Sequence, residues 1–252
     1  MYKMQNQLEL KHIRKPGASL RSLLRDGHFP YYFFKRIMDL LIAGGLLALF
    51  SPLIAAIAIL IYAYSPGPIF FKQLRVGAKR VRRGDAYYWE REDFTLYKFR
   101  TMKVNGDEAV HKAYVQALIQ NDRQKAQEIQ GEKSQVRKLT NDPRIILPGK
   151  FLRKFSLDEL PQFWNVLRGD MSLIGPRPAL PYEVEVYKPW HLRRLEAQPG
   201  ISGLQQVTAR CTADFDEQVK LDLAYIENQS LWQDFKIALK TPLMILSAKG
   251  AG

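Results

Sequence analysis

Asp158 and Glu159 stand side by side in "FLRKFSLDELPQFWNVLRGDMSLIGPRP", Phe151 to Pro178, with Arg153 and Lys154 just ahead and Arg177 between two prolines downstream. Adjacent carboxylates among Phe, Leu and Trp require water, a metal or cationic partners, because an unpaired buried charge is costly. For a carboxylate to attack phosphorus, the repulsion between two anions must be cancelled by cations or Mg2+. The segment supplies an acid, a second acid able to hold a metal, and arginines. Arg177, stiffened by its prolines, suits bidentate phosphate recognition. A structural reading competes with this chemistry. Ser156 and Glu159 have capping-box spacing, and if Asp158 is the cap instead, Pro161 falls in the first turn, where its missing N–H costs little. The readings are compatible, since a helix start gathers N–H groups that can hold phosphate.

A second acid pair, Asp107-Glu108, is the control. Asn105 and Glu108 fit a capping box, and acids in a first turn complement the helix dipole, so this pair is expected to cap a helix and nothing more. The first pair differs in its arginine company.

The chain has 252 residues and a formal charge of +13. One main domain is expected, with an anionic partner: nucleic acid, anionic lipid or a phosphorylated substrate. Cys211 is the only cysteine, which rules out an intramolecular disulfide and a cysteine-rich zinc site. His12, His28, His111 and His191 are scattered without metal-ligand spacing, which leaves no His-based metal chemistry.

Leu40 to Tyr64 carries no charge and, as a helix, exceeds the ~30 Å hydrocarbon core of a bilayer. It can be a spanning helix kinked at Pro52 or a re-entrant hairpin whose arms enter and leave one leaflet. Ser51, beside Pro52, can bond the carbonyl freed by the missing N–H. Basic residues flank both ends, Arg21, Arg25, Lys35 and Arg36 before and Lys72, Arg75, Lys79, Arg80, Arg82 and Arg83 after. A spanning helix would put one cluster on the wrong side, which favours the hairpin.

Asp93 to Met102 alternates like a strand and Ser65 to Gly77 reads as a turn and a short apolar run, so a small sheet is expected. Asn105 to Leu139 is polar and short of Gly and Pro, the texture of solvated helix without chemistry. From Phe151 to Leu167 large apolar residues recur at helical spacing among cations, and "SLWQDFKIALKTPLMIL" repeats the texture near the end. Such faces pack a core or lie in a membrane interface.

An ordered series of motifs resembles the bacterial sugar transferases, or monotopic phosphoglycosyl transferases, from about Phe34 to Thr241. It comprises "KRIMD", the Ser51-Pro52 break, "PIFFKQLRVG", "YKFRTM", "LTNDPRI", the acid-pair segment, "PGISGLQQVTAR" and "LDLAYIENQSLWQDFKIALKT". The resemblance implies an α+β, mainly helical monotopic membrane protein with a re-entrant helix-break-helix, interfacial amphipathic helices and a small sheet. Its expected divisions are a basic segment 1–36, the re-entrant helix 37–64 and a catalytic domain 65–252 with a polar helical insertion at about 105–139. It further implies transfer of a sugar 1-phosphate from a UDP-sugar to undecaprenyl phosphate, releasing UMP, through an aspartyl phosphosugar and with Mg2+. Asp158 falls on the family's nucleophile and Glu159 on its partner at the metal. Arg153 matches a phosphate-contacting arginine, Arg177 the arginine of Pro-Arg-Pro, Lys98 and Arg100 the basic strand motif, and Asp222 a further carboxylate. Ser51 and Pro52 match the break of the re-entrant helix.

The implied location is the cytoplasmic face of a bacterial inner membrane, in exopolysaccharide, capsule or O-antigen synthesis, with a homo-oligomer left open. "GLQQVTAR" looks more like relatives that handle neutral hexoses, pointing to UDP-glucose or UDP-galactose. Larger relatives carry an additional membrane domain ahead of the shared part, whereas here a basic tail is expected. The rival reading is a lipid-anchored basic scaffold built on Lys79 to Arg83. No nucleic-acid-binding signature accompanies that cluster, and contact with anionic lipid explains it equally well.

Overall fold

The computed structural model describes residues 19–21, 29–84, 86–103, 109–120, 122–130, 145–208 and 214–246. Asp107, Glu108, Asn105 and Cys211 lie outside the described residues, as does most of the basic segment 1–36. The described chain is mostly helical with two small sheets.

Helix α1, Phe29–Tyr64, is long and apolar enough to cross a membrane by length and composition. It stays helical through Pro52. The carbonyl that Pro52 cannot serve, that of Ala48, accepts a hydrogen bond from Ser51 Oγ at 2.8 Å. Tyr31, Lys35, Asp39 and Ala43, one turn apart, are buried on one face, and Ile57 and Ile61 are buried nearer the other end. Between them Leu49, Ser51, Pro52 and Leu53 are exposed. The helix is therefore anchored toward both ends, and in its middle Leu49, Ser51, Pro52 and Leu53 are exposed while Phe50 and Ile54 pack against the Ile57 group.

The anchors are specific. Lys35 Nζ makes a 2.8 Å ion pair with Asp234 and donates to Ile174 O at 2.9 Å, while Arg36 donates to Val166 O and Leu167 O. Asp39 accepts from Leu173 N at 3.0 Å. At the other end Ile57 and Ile61 pack with Phe99, Leu152 and Leu160, while Ala43 packs with Phe94, Leu96, Val166 and Met171. Phe163 touches both groups.

Strands β1 (Ser19–Arg21), β2 (Phe70–Arg83) and β3 (Ala86–Phe99) form an antiparallel sheet in the order β1-β3-β2. The expected strand at Asp93 to Met102 is thus one half of a long hairpin, and the basic cluster Lys79 to Arg83 forms its outer end. The cations there are engaged within the protein: Lys79 with Glu92, Arg83 with Glu90, Arg82 with Gly84 O, and Arg80 between the rings of Tyr32 and Tyr87.

Helices α2 (Ala109–Ile119) and α3 (Arg123–Gln130) occupy the described part of the polar stretch, helical as expected. The expectation of a solvated helix needs correcting on one face. Tyr114, Ala117 and Ile119 are buried, and Ile119 joins a core group with Val76, Ala179, Val184 and Tyr187. Three or four apolar residues in a charge-rich run suffice to dock a helix whose composition reads as polar.

The remainder carries the site: α4 (Leu147–Lys154), a 3-10 turn (Leu157–Glu159), α5 (Gln162–Arg168), β4 (Ser172–Ile174), α6 (Pro181–Val184) and a 3-10 helix (Pro189–Leu195). There follow β5 (Gly200–Ser202), parallel to β4, then α7 (Leu204–Thr208), α8 (Phe215–Glu227) and α9 (Leu231–Leu246). Leu147 and Phe151 on α4, Trp164 on α5, and Trp232, Phe235, Leu239 and Leu243 on α9 expose large apolar side chains. These helices pack with one face and present a second apolar face outward.

Candidate active site

The acid pair sits on the 3-10 turn between α4 and α5. Ser156, just ahead, is the one non-glycine residue with positive φ among the described residues, at 54°. That sparsely populated conformation costs on the order of 1–3 kcal/mol and reverses the chain sharply out of α4. Neither cap envisaged from the sequence forms. Ser156 makes no side-chain cap, and α5 begins only at Gln162, with Pro161 as its N-cap. The turn is instead closed by Glu159 N donating to Ser156 O at 3.1 Å. The carboxylates are thereby left free of capping duty.

Asp158 is buried, and its pKa is pushed up to about 6. Burial is the main cause and the Glu159 charge adds to it, while Lys98 and then Arg153 oppose it. Glu159 accepts from Lys98 Nζ at 2.6 Å. Among the described residues no ion pair is made by Asp158 itself. The result is an acid that ionises only as the pH climbs through about 6, beside a carboxylate paired with lysine.

Lys98 reaches Glu159 because β3 and α5 are stitched together by Asn165, a residue the sequence reading passed over. Its fully buried side chain accepts from Tyr97 N at 3.1 Å and donates to Thr95 O at 2.7 Å and to Asp170 Oδ2 at 3.0 Å. The amide takes the place of a neighbouring strand and fixes the strand's position against the helix.

Arg153, in the last turn of α4, is half-buried and acts on Asp158 through its charge. Arg177 is exposed between buried Pro176 and Pro178. Neither side chain makes a hydrogen bond or ion pair with a described residue. The segment bearing Arg177 is threaded through a tight crossing: a Cβ on Gly175 would lie 2.3 Å from Gln198 O, and one on Gly200 2.1 Å from Gly175 N. These contacts explain why "IGPRP" and "PGISG" need glycine where they meet.

The other matched residues lie differently. Arg100 is buried and donates to Ser65 O and Pro66 O, holding the loop that leaves α1. Asp222 is buried in an ion pair with Arg194, at 2.7 Å, and feels the Arg177 charge as well. Burial raises its pKa, and both arginines oppose the rise. Ser51 and Pro52 lie in the exposed middle of α1. The structure therefore gathers Asp158, Glu159, Lys98 and Arg153 directly, with Asp222 placed beneath the Arg177 segment.

Arg75 is a further residue missed from the sequence, where it was read only as part of a basic flank. It is buried on β2, donates to Pro178 O at 2.9 Å and to Gln73 Oε1 at 2.7 Å, and lies close enough to Arg177 and Glu159 for their charges to act on it. Its partners are an amide and a carbonyl, which no pattern of charge reveals.

Among the described residues there is no group of three or more His, Cys, Asp and Glu placed to share a metal. Mg2+ does not need one. It is held by one or two carboxylates together with substrate phosphates. The hard oxygens of Asp158 and Glu159, two carboxyl groups whose repulsion helps to raise the pKa of the first, fit that demand.

Comparison with known proteins bears on this arrangement. The chain is 40% identical over 227 residues to the UDP-N-acetylgalactosamine-undecaprenyl-phosphate N-acetylgalactosaminephosphotransferase of Aeromonas hydrophila, a match covering 88% of this chain and 45% of that protein. It is 38% identical to the undecaprenyl-phosphate galactose phosphotransferase of Salmonella typhimurium, over 87% of this chain and 42% of that one. It is 36% identical to an exopolysaccharide production protein of Rhizobium meliloti, over 86% of this chain and 87% of that one. The chain thus spans less than half the length of the first two and most of the third. The family model described as bacterial sugar transferase matches residues 30–248, a stretch containing the acid pair and all the cations around it, and the chain belongs to that family.

Proposed function

We propose that this protein transfers a sugar 1-phosphate from a UDP-sugar to undecaprenyl phosphate at a membrane surface. The observation that carries the reading is the buried Asp158, its pKa raised to about 6, beside Glu159 paired with Lys98 and Arg153, which has no hydrogen bond or ion pair with a described residue. An Asp158 carboxylate oxygen attacks the phosphorus that bears the sugar. The bond from that phosphorus to the UMP oxygen breaks, and UMP leaves with the electron pair. An oxygen of the lipid phosphate then attacks the same phosphorus, and the bond to Asp158 breaks to restore the carboxylate. Asp158 and Glu159 are the residues to hold Mg2+, which when bound supplies neutralising charge on the transferring phosphate. Arg153 and Arg177, which have no side-chain partner among the described residues, bind phosphate oxygens, a role suited to the guanidinium fork. Lys98 limits the charge that Asp158 adds on ionising. The donor sugar is glucose or galactose by the "GLQQVTAR" motif, although relatives of similar identity are named for N-acetylgalactosamine, galactose and glucose.

The re-entrant reading of α1 belongs to the same proposal. Both arms dock on one body, Phe163 touches the packing groups of both, and Ser51 serves the Ala48 carbonyl at the exposed middle. A helix spanning the bilayer would separate its ends by the full membrane thickness. The exposed apolar faces of α4 and α9 then lie in the same interface, with Lys150, Lys154, Lys236 and Lys240 available to the headgroups. The active site faces the cytoplasm in this arrangement, where the nucleotide sugar arrives.

The test is UMP release by the purified protein in lipid nanodiscs with Mg2+, a panel of UDP-sugars and undecaprenyl phosphate present or absent, beside Asp158→Asn. Release that depends on Asp158 and leaves sugar on a lipid diphosphate is the expected result. Sugar phosphate appearing in water instead would mean a phosphatase. In sealed vesicles, a cysteine near residue 20 labelled from the side opposite the catalytic body would overturn the hairpin.

A further inference from the structure

Arg75 is a buried arginine with no carboxylate partner among the described residues. Its Nη1 donates to Pro178 O at 2.9 Å, its Nη2 to Gln73 Oε1 at 2.7 Å, and its buried Nε finds no hydrogen-bond partner. The next residue continues the attachment: Val76 N donates to Ala179 O at 2.8 Å, in an isolated antiparallel bridge. Behind this junction Val76, Pro176, Tyr187 and Arg194 line a small cavity, too small to admit more than a water-sized group.

A buried guanidinium without a counterion is expensive to keep, and an apolar residue would fill the same volume at lower cost. Something other than stability accounts for its presence. Pro178 has no N–H, so the segment Gly175 to Pro178 cannot complete a regular ladder with β2, and its carbonyls need a donor from elsewhere. Arg75 supplies one through a planar fork whose second arm is fixed by Gln73. It also places a positive charge near Arg177, which with burial lowers its own pKa to about 10 and leaves it protonated at neutral pH.

We propose that Arg75 is a positioning residue for the transfer reaction: it holds the Pro178 carbonyl, and so fixes the segment from which Arg177 reaches the donor phosphates. Arg75 is buried and each of its terminal nitrogens donates to a protein acceptor, so Arg75 acts through Arg177 and not on substrate. The inference rests on the function proposed above, but the attachment of the segment can be measured without turnover.

Two measurements in nanodiscs test it. The first is amide hydrogen exchange of peptides covering residues 174–180 in wild type, Arg75→Met and Gln73→Leu. Arg75→Met is expected to speed exchange there at least several-fold. Gln73→Leu leaves the Pro178 contact but frees its fork, and should have a smaller effect in the same direction. Unchanged exchange in both variants would overturn the inference, whatever the activity. The second is the KM for the UDP-sugar in Arg75→Met, Arg177→Met and the double variant. Loss of one well-placed charge-assisted hydrogen bond is expected to raise KM about tenfold. A variant that merely unfolds in part would lower kcat and leave KM alone. If Arg75 acts through Arg177, the second substitution adds little to the first; fully multiplicative effects would sink the idea. Should wild type release no UMP with any donor, the proposed function fails, and the exchange measurement alone decides what Arg75 does.

Discussion

Asp158 and Asp222 are both buried aspartates whose pKa burial raises, and they illustrate two fates for a carboxylate inside a protein. Asp222 is answered at once by Arg194 at 2.7 Å, and that arginine is itself held by the Tyr187 hydroxyl at 2.9 Å. Asp158 is answered only through charge, because Lys98, the cation that acts on it most strongly, is committed to Glu159. An ion pair with an arginine makes a brace, even where Asp222 leaves hydrogen-bonding capacity unused, whereas an acid without such a pair keeps a charge that a metal can answer. Family resemblance places both among the site residues, but their surroundings predict opposite consequences when each is altered.

The largest effect belongs to Asp158→Asn. Turnover should fall by at least a thousandfold, while thermal stability at pH 7.5 rises by a few degrees. A raised pKa means that the neutral form is favoured by folding: the stabilisation is full below pH 3.8 and lost as the pH climbs through about 6. Above that the ionised group burdens the fold, and asparagine removes the burden. The gain in melting temperature should therefore shrink as the pH is lowered toward 4. A stability loss at pH 7.5 would mean that Asp158 is braced after all.

Asp222→Ala should show the reverse pattern. It strands Arg194 in the interior, at a cost of about 3–5 kcal/mol, and activity falls only in step with the folded fraction. Pairing it with Arg194→Met should recover much of the stability, since removing both members of a buried pair is far milder than removing one. A double variant no more stable than the single would show that Asp222 is held by something besides Arg194.

The pH profile sharpens the contrast. The free enzyme's kcat/KM should rise with pH through about 6 as Asp158 ionises. Lys98→Met removes the strongest influence holding that pKa down, so the acidic limb should move to higher pH. If the limb stays where it was, the acid that titrates in the profile is not Asp158.

How far these roles could be read from sequence follows from how local their signals are. The acid pair, its cations and the apolar helix are contiguous runs, and their composition announced them. The hairpin was half seen, because the alternation at Asp93 to Met102 is plain while β2 carries a cluster of cations, two of which find acids only across the sheet. The capping box at Ser156 was plausible by spacing and does not form, since the left-handed turn there follows from packing of α4 against α1 and β3 and not from local preference. Asn165 and Arg75 were invisible for a simpler reason: the backbone carbonyls they hold, of Thr95 and Pro178, are 70 and 103 residues away, and backbone atoms carry no residue type.

The smallest predicted effect tests burial itself as the cause of the difference. Lys79 and Glu92 form a pair at 3.6 Å with side chains 67% and 58% exposed, at the outer end of the hairpin. Water screens both charges and releases both side chains when the pair is broken, so Glu92→Gln should change stability by less than about 0.5 kcal/mol and leave turnover intact. Asp222 and Glu92 are both carboxylates facing a cation across the fold, differing chiefly in the solvent around them. If removing the exposed pair cost as much as removing the buried one, local dielectric could not be what separates a structural acid from a bystander, and the assignment of Asp158 by its incomplete pairing would lose its physical basis.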